Sequence, residues 1–382
     1  MPSIFDPPIE RRRSDSAKWG QVARRDRDVI GAWLADMDLP SADKIIEAVK
    51  ERLDERVFGY SMPPSGFFRL IIDRLEKKYG WKVERDWFVI QPGVVPSLFF
   101  ATNCLGEYGD SVMAARPNYH YFLETAELTD RVFQPVDCHL AQDRWEMDFH
   151  QMRQTISPKT RAFLLCNPFN PVGRVLDQQE LETVAQICLS NGTMICSDEI
   201  HAELVLDEDK QHIPVASLAP EIEQNSITLF SAAKAFNLPG IGGLSFAIIP
   251  NPELRAAFSK RSYGVATHPG ALAYAATMAA YSDCDDWLEE TVNYLRGNRD
   301  YLQSEIAQMN GLSMAHVEAS FLAWIDVTDL GLADPYQAFL EGGVALSDGG
   351  EMGRGDHLRL NFGCHRSTLE EIIRRMKQTL AS

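Results

Sequence analysis

One lysine in the stretch "TLFSAAKAFNLPGIGG" stands among alanines and phenylalanines, with three glycines close behind it. An ammonium held in apolar surroundings loses part of its proton affinity and becomes a usable nucleophile and base. A lysine that lays its stem along the surface and keeps its charge in water is the ordinary alternative. Gly240, Gly242 and Gly243 speak for close backbone approach around Lys234 instead.

Other chemistry-bearing residues follow short apolar runs, where strands should end. After "WFVI" comes Gly93-Val94-Val95 and then Pro96, which reads as a turn opening a helix whose free amides could hold a phosphate. After "RAFLLC" comes "NPFNPVG", a loop stiffened by prolines that carries two asparagine amides. After "TMICS" comes Asp198, a carboxylate that needs a donor or cation if the strand is buried. Taken singly, these also fit a plain turn, a helix cap or an ion pair. A metal site in "DEIHAE" is not expected, because Asp198, His201 and Glu203 lack a helical ligand spacing. No G-x-G-x-x-G dinucleotide loop follows a first strand.

The elements that must position these groups come from the rhythm of the chain. Between about 87 and 250, short apolar strands alternate with helices, which predicts an α/β fold. A mostly parallel sheet is expected, with helices on both faces in three layers. Helices are predicted for "SADKIIEAVKERLDERV", with Ser41 or Asp43 as its cap, and for "FFRLIIDRLEKKYG". Beyond about 265, two long helices, two strand-like runs ("FLAWIDV", "HLRLNFG") and a final helix predict a smaller α+β unit. The expected division is a large domain over 41–275 and a small domain made of 1–40 and 276–382. In open α/β sheets, ligands bind beyond the carboxyl ends of the strands. A phosphate cradle, an amide donor, a carboxylate and a lysine at successive ends meet the needs of pyridoxal 5'-phosphate. Its ring nitrogen needs an acid partner and its aldehyde an amine.

Bulk properties agree with a globular enzyme. The chain has 382 residues, 45% hydrophobic and 24% charged, with a formal net charge of -17. That charge disfavours nucleic acid and anionic membrane surfaces as partners. No run approaches the roughly 18 apolar residues of a membrane span. No apolar segment follows Arg11–Arg13 as a signal peptide requires. Seven scattered cysteines without C-x-x-C spacing point to small core residues and a reducing, cytoplasmic setting.

The sequence resembles the fold-type I pyridoxal-phosphate enzymes of the aspartate aminotransferase superfamily, and within them the cystathionine β-lyase-like MalY/PatB family of C–S lyases. The resemblance runs along most of the chain, through "WLADMDLP", "VFGYS", "PGVV", "CNPFNPVGRV", "SDEIHAEL", "SAAKAFNLPG", "AAYSDCDDWLEETVNYLRGN", "FLAWIDV" and "RLNFGCHRS". It implies that Lys234 binds the cofactor covalently and serves as base and acid. It implies Asp198 on the pyridine nitrogen, Asn170 on the phenolic oxygen and Tyr119 stacked on the ring. Gly93, Val94 and Ser231 would hold the phosphate, and Tyr60 would reach the phosphate of a neighbouring subunit in a homodimer. Arg359 would bind the α-carboxylate of a small amino-acid substrate. His201 stands where most aminotransferases carry tyrosine. The chain departs from the pattern at Ala233 (serine in many relatives), at Gly242 (arginine in aspartate aminotransferases) and at His120, Tyr121 and His365, which are expected to mark an altered substrate pocket.

The implied reaction is β-elimination from cystathionine or another S-substituted cysteine, giving pyruvate, ammonia and a thiol. Transamination, a specialised elimination or cyclisation on a modified amino acid, and regulation through protein contacts are the alternatives.

Overall fold

The computed structural model describes residues 5, 8–12, 14–23 and 28–381. Parts of the expected 1–40 segment, Arg13 among them, lie outside the described residues. An eight-stranded sheet runs in the order Phe88–Gln91, Ser245–Ile248, Ser226–Phe230, Met194–Asp198, Thr160–Cys166, Ser111–Arg116, Val132–Ala141, Arg144–Met147. The four pairings from Ser226–Phe230 across to Val132–Ala141 are parallel. The outer pairings are antiparallel. The Ser111–Arg116, Thr160–Cys166, Met194–Asp198 and Ser226–Phe230 strands are buried along nearly their whole length. That is what helices on both faces of a parallel sheet require.

The helices have visible causes. Asp177 accepts from the Glu180 amide while the Glu180 carboxylate accepts from the Asp177 amide, a reciprocal cap that starts Gln178–Ser190. Phe67–Tyr79 stops at Gly80, whose positive φ of 68° closes the last turn. Asp43–Asp54 begins at Ala42, with no side-chain cap, instead of at Ser41 or Asp43. Ala42 is itself buried in the core, so packing sets that start.

The C-terminal part forms a four-stranded antiparallel sheet in the order Ser313–Met314, Leu322–Asp326, His357–Asn361, Ser347–Asp348. The pair Ile30–Gly31 and Val344–Ala345 runs parallel beside it, which ties an N-terminal stretch to this unit. The position near 275 falls within the helix Ala271–Asp283, which packs on Asp43–Asp54 and Phe67–Tyr79. The Arg144–Met147 hairpin strand and the two-residue strands carry too little apolar pattern to be read from sequence. No helix among the described residues is long and apolar enough to cross a membrane.

One glycine ties the fold to the site. A Cβ on Gly243 would lie 1.6 Å from the Pro92 carbonyl oxygen, so the segment after Lys234 and the turn before Val94–Cys104 are in contact. Nothing would meet a Cβ on Gly240, so close approach is not the reason for that glycine. Gly243→Ala is expected to lower the urea midpoint by an amount equivalent to about 1–3 kcal/mol, the usual cost of overpacking. Equilibrium unfolding followed by circular dichroism checks this.

Candidate active site

The carboxyl ends of the sheet open into a cavity of about 310 Å³. That lies within the range of about 300–1,000 Å³ common for small-molecule sites. Lys234, Asp198, Asn170, His201, Tyr119, Gly93, Val94, Ser231 and Arg359 all line it. All but Arg359 are brought together from beyond strand ends far apart in the chain, because the strands of the large sheet deliver these ends to one edge; Arg359 comes from the antiparallel sheet. Tyr60 does not line it; its side chain is fully exposed.

The Lys234 amine donates to the Ala35 carbonyl at 2.5 Å. Burial lowers its pKa to about 8, helped by the nearby Arg359 guanidinium. The Asp198 carboxylate is buried and accepts from the Ile200 amide at 3.0 Å. Burial raises its pKa to about 7 against the opposing pull of Ile200 and Lys234. His201 is held neutral: burial, with Lys234 and Arg359 nearby, takes its pKa down to about 3. Burial lifts the Tyr119 hydroxyl to about 12.

Arg359 is 4% exposed, on the strand His357–Asn361. It donates to Asn170 Oδ1 at 3.1 Å, to the Trp33 carbonyl at 3.0 Å and to Ser347 Oγ at 3.2 Å. No carboxylate lies within ion-pair distance of it among the described residues, although Glu351 lines the same cavity. Burial brings its pKa down to about 10. A buried, fork-shaped cation with neutral partners and an open cavity before it suits a carboxylate.

Residues 34–376 match the family model described as aminotransferase class I and II. The chain belongs to that family. It is 33% identical to cystathionine beta-lyase PatB of Bacillus subtilis (strain 168), over 99% of this chain and 100% of that protein. It is 31% identical to protein MalY of Escherichia coli (strain K12), over 96% of each. The solved structure of OvoB is 41% identical and superposes with a TM-score of 0.96 over 99% of both chains. Cystalysin of Treponema denticola, solved with pyridoxal 5'-phosphate, is 26% identical, with a TM-score of 0.95 over 100% of this chain and 99% of that one. The family has the three-layer architecture read from the strand and helix rhythm, and this member carries it with its small antiparallel sheet.

Within that family frame, several site details differ from the sequence reading. Of the two asparagines in "NPFNPVG", only Asn170 lines the cavity. Asn167 is fully buried and accepts from the Leu176 amide, so it builds the loop. The Ser231 hydroxyl donates to the Leu244 carbonyl at 2.6 Å and accepts from the Ala233 amide, so its proton is already engaged. His120 lines the cavity, with its ring 4.5 Å from that of Tyr119. Tyr121 packs behind it, 4.3 Å from His120. His365 is not in the cavity: it pairs with Ser367 Oγ at 2.8 Å beside the final helix. It sits half-buried just before that helix, a place its spacing from Arg359 did not reveal.

Sequence reasoning missed Trp33, Leu34, Ala35 and Ser347, which also line the cavity. Trp33 and Ala35 act through main-chain carbonyls, and any residue type offers a carbonyl, so no side-chain signal existed.

The protonation of Asp198 has a measurable consequence. In protein without added cofactor, Asp198 keeps its proton up to about pH 7, whereas an unfolded aspartate loses it near about pH 4. The folded state therefore holds the extra proton between those values, and stability falls as pH rises through that window. Asp198→Asn removes this fall. Its urea midpoint is expected to exceed that of the wild type at about pH 8 and to converge with it toward about pH 4.

Proposed function

We propose that this protein is a pyridoxal-phosphate-dependent carbon–sulfur lyase that cleaves cystathionine or related S-substituted cysteines to pyruvate, ammonia and a thiol. The observation that carries this is the buried Lys234 amine, sharing one cavity with Asp198 and with an Arg359 that lacks a carboxylate partner. The relatives named cystathionine beta-lyase and the solved C–S lyase of Staphylococcus hominis in its pyridoxal-phosphate-bound form support the same reading.

The cavity fits that cofactor on its own evidence. His201 Nδ1 and Arg359 Nε are buried without a hydrogen-bond partner among the described residues, and Asp198 faces the same space. Pyridoxal phosphate, when bound, supplies the electron sink that makes an α-proton of an amino acid removable. Asp198 would hold the pyridine nitrogen protonated, Asn170 and His201 would face the phenolic oxygen, and Tyr119 would cover the ring. Gly93 and Val94, at the start of Val94–Cys104, would offer amides to the phosphate. Ser231 would join them by turning its hydroxyl from Leu244.

Arg359 orients the substrate by its α-carboxylate. Lys234 would hold the cofactor by its amine and, once free, would take the α-proton of the substrate. The electron pair left on Cα forms the Cα=Cβ bond while the Cβ–S bond breaks with its pair going to sulfur. The sulfur takes a proton from the Lys234 ammonium or from water. The 2-aminoacrylate so released takes up water and becomes pyruvate and ammonia.

Homodimerisation belongs to the same proposal. Tyr60, with the exposed Val57, Phe58 and Met62 beside it, would pack on a second copy and complete that copy's phosphate site. The large unit spans 41–275 and the small unit takes 1–40 and 276–382, and the enzyme acts in the cytoplasm.

Pyruvate and thiol are expected in equal amounts from L-cystathionine with added pyridoxal phosphate and no keto acid. Turnover that needs a keto acid and releases no thiol would make the protein a transaminase instead. Lys234→Ala is expected to lower kcat by about 10²–10⁴-fold or more, since it removes both base and attachment point. Arg359→Gln is expected to raise KM by about tenfold or more, because a bidentate, charge-assisted contact is lost in ground and transition states alike.

A further inference from the structure

The segment Trp33–Asp38 has no regular secondary structure, yet both cations of the cavity donate to it. Arg359 donates to the Trp33 carbonyl and Lys234 to the Ala35 carbonyl. The carbonyls of Leu34, Asp36 and Met37 are taken too. Asn361 Nδ2 donates to Leu34 and Asp36, and Asn237 Nδ2 donates to Met37 while its oxygen accepts from the Met37 amide. These partners come from elements already tied to the site. A further partner comes from outside it.

Lys18, on the helix Ala17–Ala23, is 1% exposed. Its ammonium lies 2.9 Å from Asp36 Oδ1 and 2.8 Å from Asp38 Oδ2, and it donates to the Asp36 carbonyl at 2.9 Å. Its own carbonyl accepts from the Trp33 indole at 3.1 Å. Arg11 and the Trp19 indole complete the shell around Asp36 and Asp38. A Cβ on Gly31 would lie 2.7 Å from the Lys18 carbonyl oxygen, so the helix is pressed against the chain just before the segment. Lys18 thus grips the segment at both ends: at Asp36, next to the carbonyl that Lys234 meets, and at Trp33, whose own carbonyl Arg359 meets.

We propose that Lys18 is a positioning residue for substrate binding: by holding Asp36 and Asp38 through its ammonium it seats the segment whose Trp33 carbonyl aims Arg359 at the substrate carboxylate. This rests on the role proposed for Arg359 above. A buried cation with two carboxylates is costly to break, because removal of one partner leaves the others uncompensated. Loss of Lys18 therefore frees the segment, and the guanidinium loses one of its neutral anchors. The contact with the substrate carboxylate is the same before and during the chemistry, so its weakening falls mainly on KM.

The test uses full-length protein loaded with pyridoxal phosphate. Lys18→Met is compared with the wild type by hydrogen exchange of residues 33–38 and by steady-state kinetics on L-cystathionine. Exchange at least about tenfold faster is expected, a fraction of what a broken buried ion pair can cost. KM is expected to rise at least about fivefold, with a smaller fall in kcat because the Ala35 carbonyl that meets Lys234 moves with the segment. If Lys18→Met does not fold, the charge-neutral set Lys18→Met, Asp36→Asn, Asp38→Asn takes its place, with the same changes expected. A folded variant whose exchange or KM stays at the wild-type value overturns the proposal. Exchange does not depend on turnover. A wild type that makes no pyruvate counts against the lyase assignment, while the exchange comparison still decides whether Lys18 holds the segment.

Discussion

Lys234 must be both buried and neutralisable, and the surrounding architecture follows from that constraint. An ammonium removed from water needs donors' counterparts around it, or it gives up its proton. Here it has one carbonyl, from Ala35, and a carboxylate in the same cavity, Asp198. A second cation, Arg359, shares the space and lowers the proton affinity of Lys234 further. The result is an amine poised near neutrality beside a carboxyl poised near neutrality. Both shifts come first from burial, so the apolar walls are as much a part of the chemistry as the charged groups.

The sheet supplies burial and convergence together. Its inner strands are covered on both faces, so the groups at their carboxyl ends emerge from a dry, close-packed layer. Asp198 ends one strand, Asn170 follows the next, and Lys234 follows a third. Arg359 arrives from the separate antiparallel sheet and meets Asn170 at 3.1 Å. The segment Trp33–Asp38 runs between the two sheets' contributions. It accepts from both cations and is held from behind by Lys18. The positions of both cavity cations are thereby tied to a stretch of chain that lies in neither sheet.

The side-chain chemistry was largely legible before the fold. Lys234, Asp198 and Asn170 announced themselves because each follows an apolar run and is of a type that such a place does not favour. The buried strands were legible for the same reason, since continuous apolar runs bounded by turn residues have few other readings. The hairpin strand Arg144–Met147 was not, because its pattern is mixed and its pairing is fixed by the neighbour Val132–Ala141. His365 misled because its departure from a familiar pattern says nothing about distance from the cavity.

The sequence by itself determined which residue types could take a proton, hold a carboxylate or face a cofactor, because those capacities reside in the side chains. It also determined the layered α/β architecture, through the alternation of short apolar strands with helices. Only the tertiary structure decided that Asn167 faces inward while Asn170 faces the cavity, that the Ser231 hydroxyl is already engaged, and that Arg359 is buried without a carboxylate. It alone showed the carbonyls of Trp33 and Ala35 as partners of the two cations. A main-chain carbonyl is the same at every position, so its role is set by where the chain passes and by nothing written in the residue that bears it.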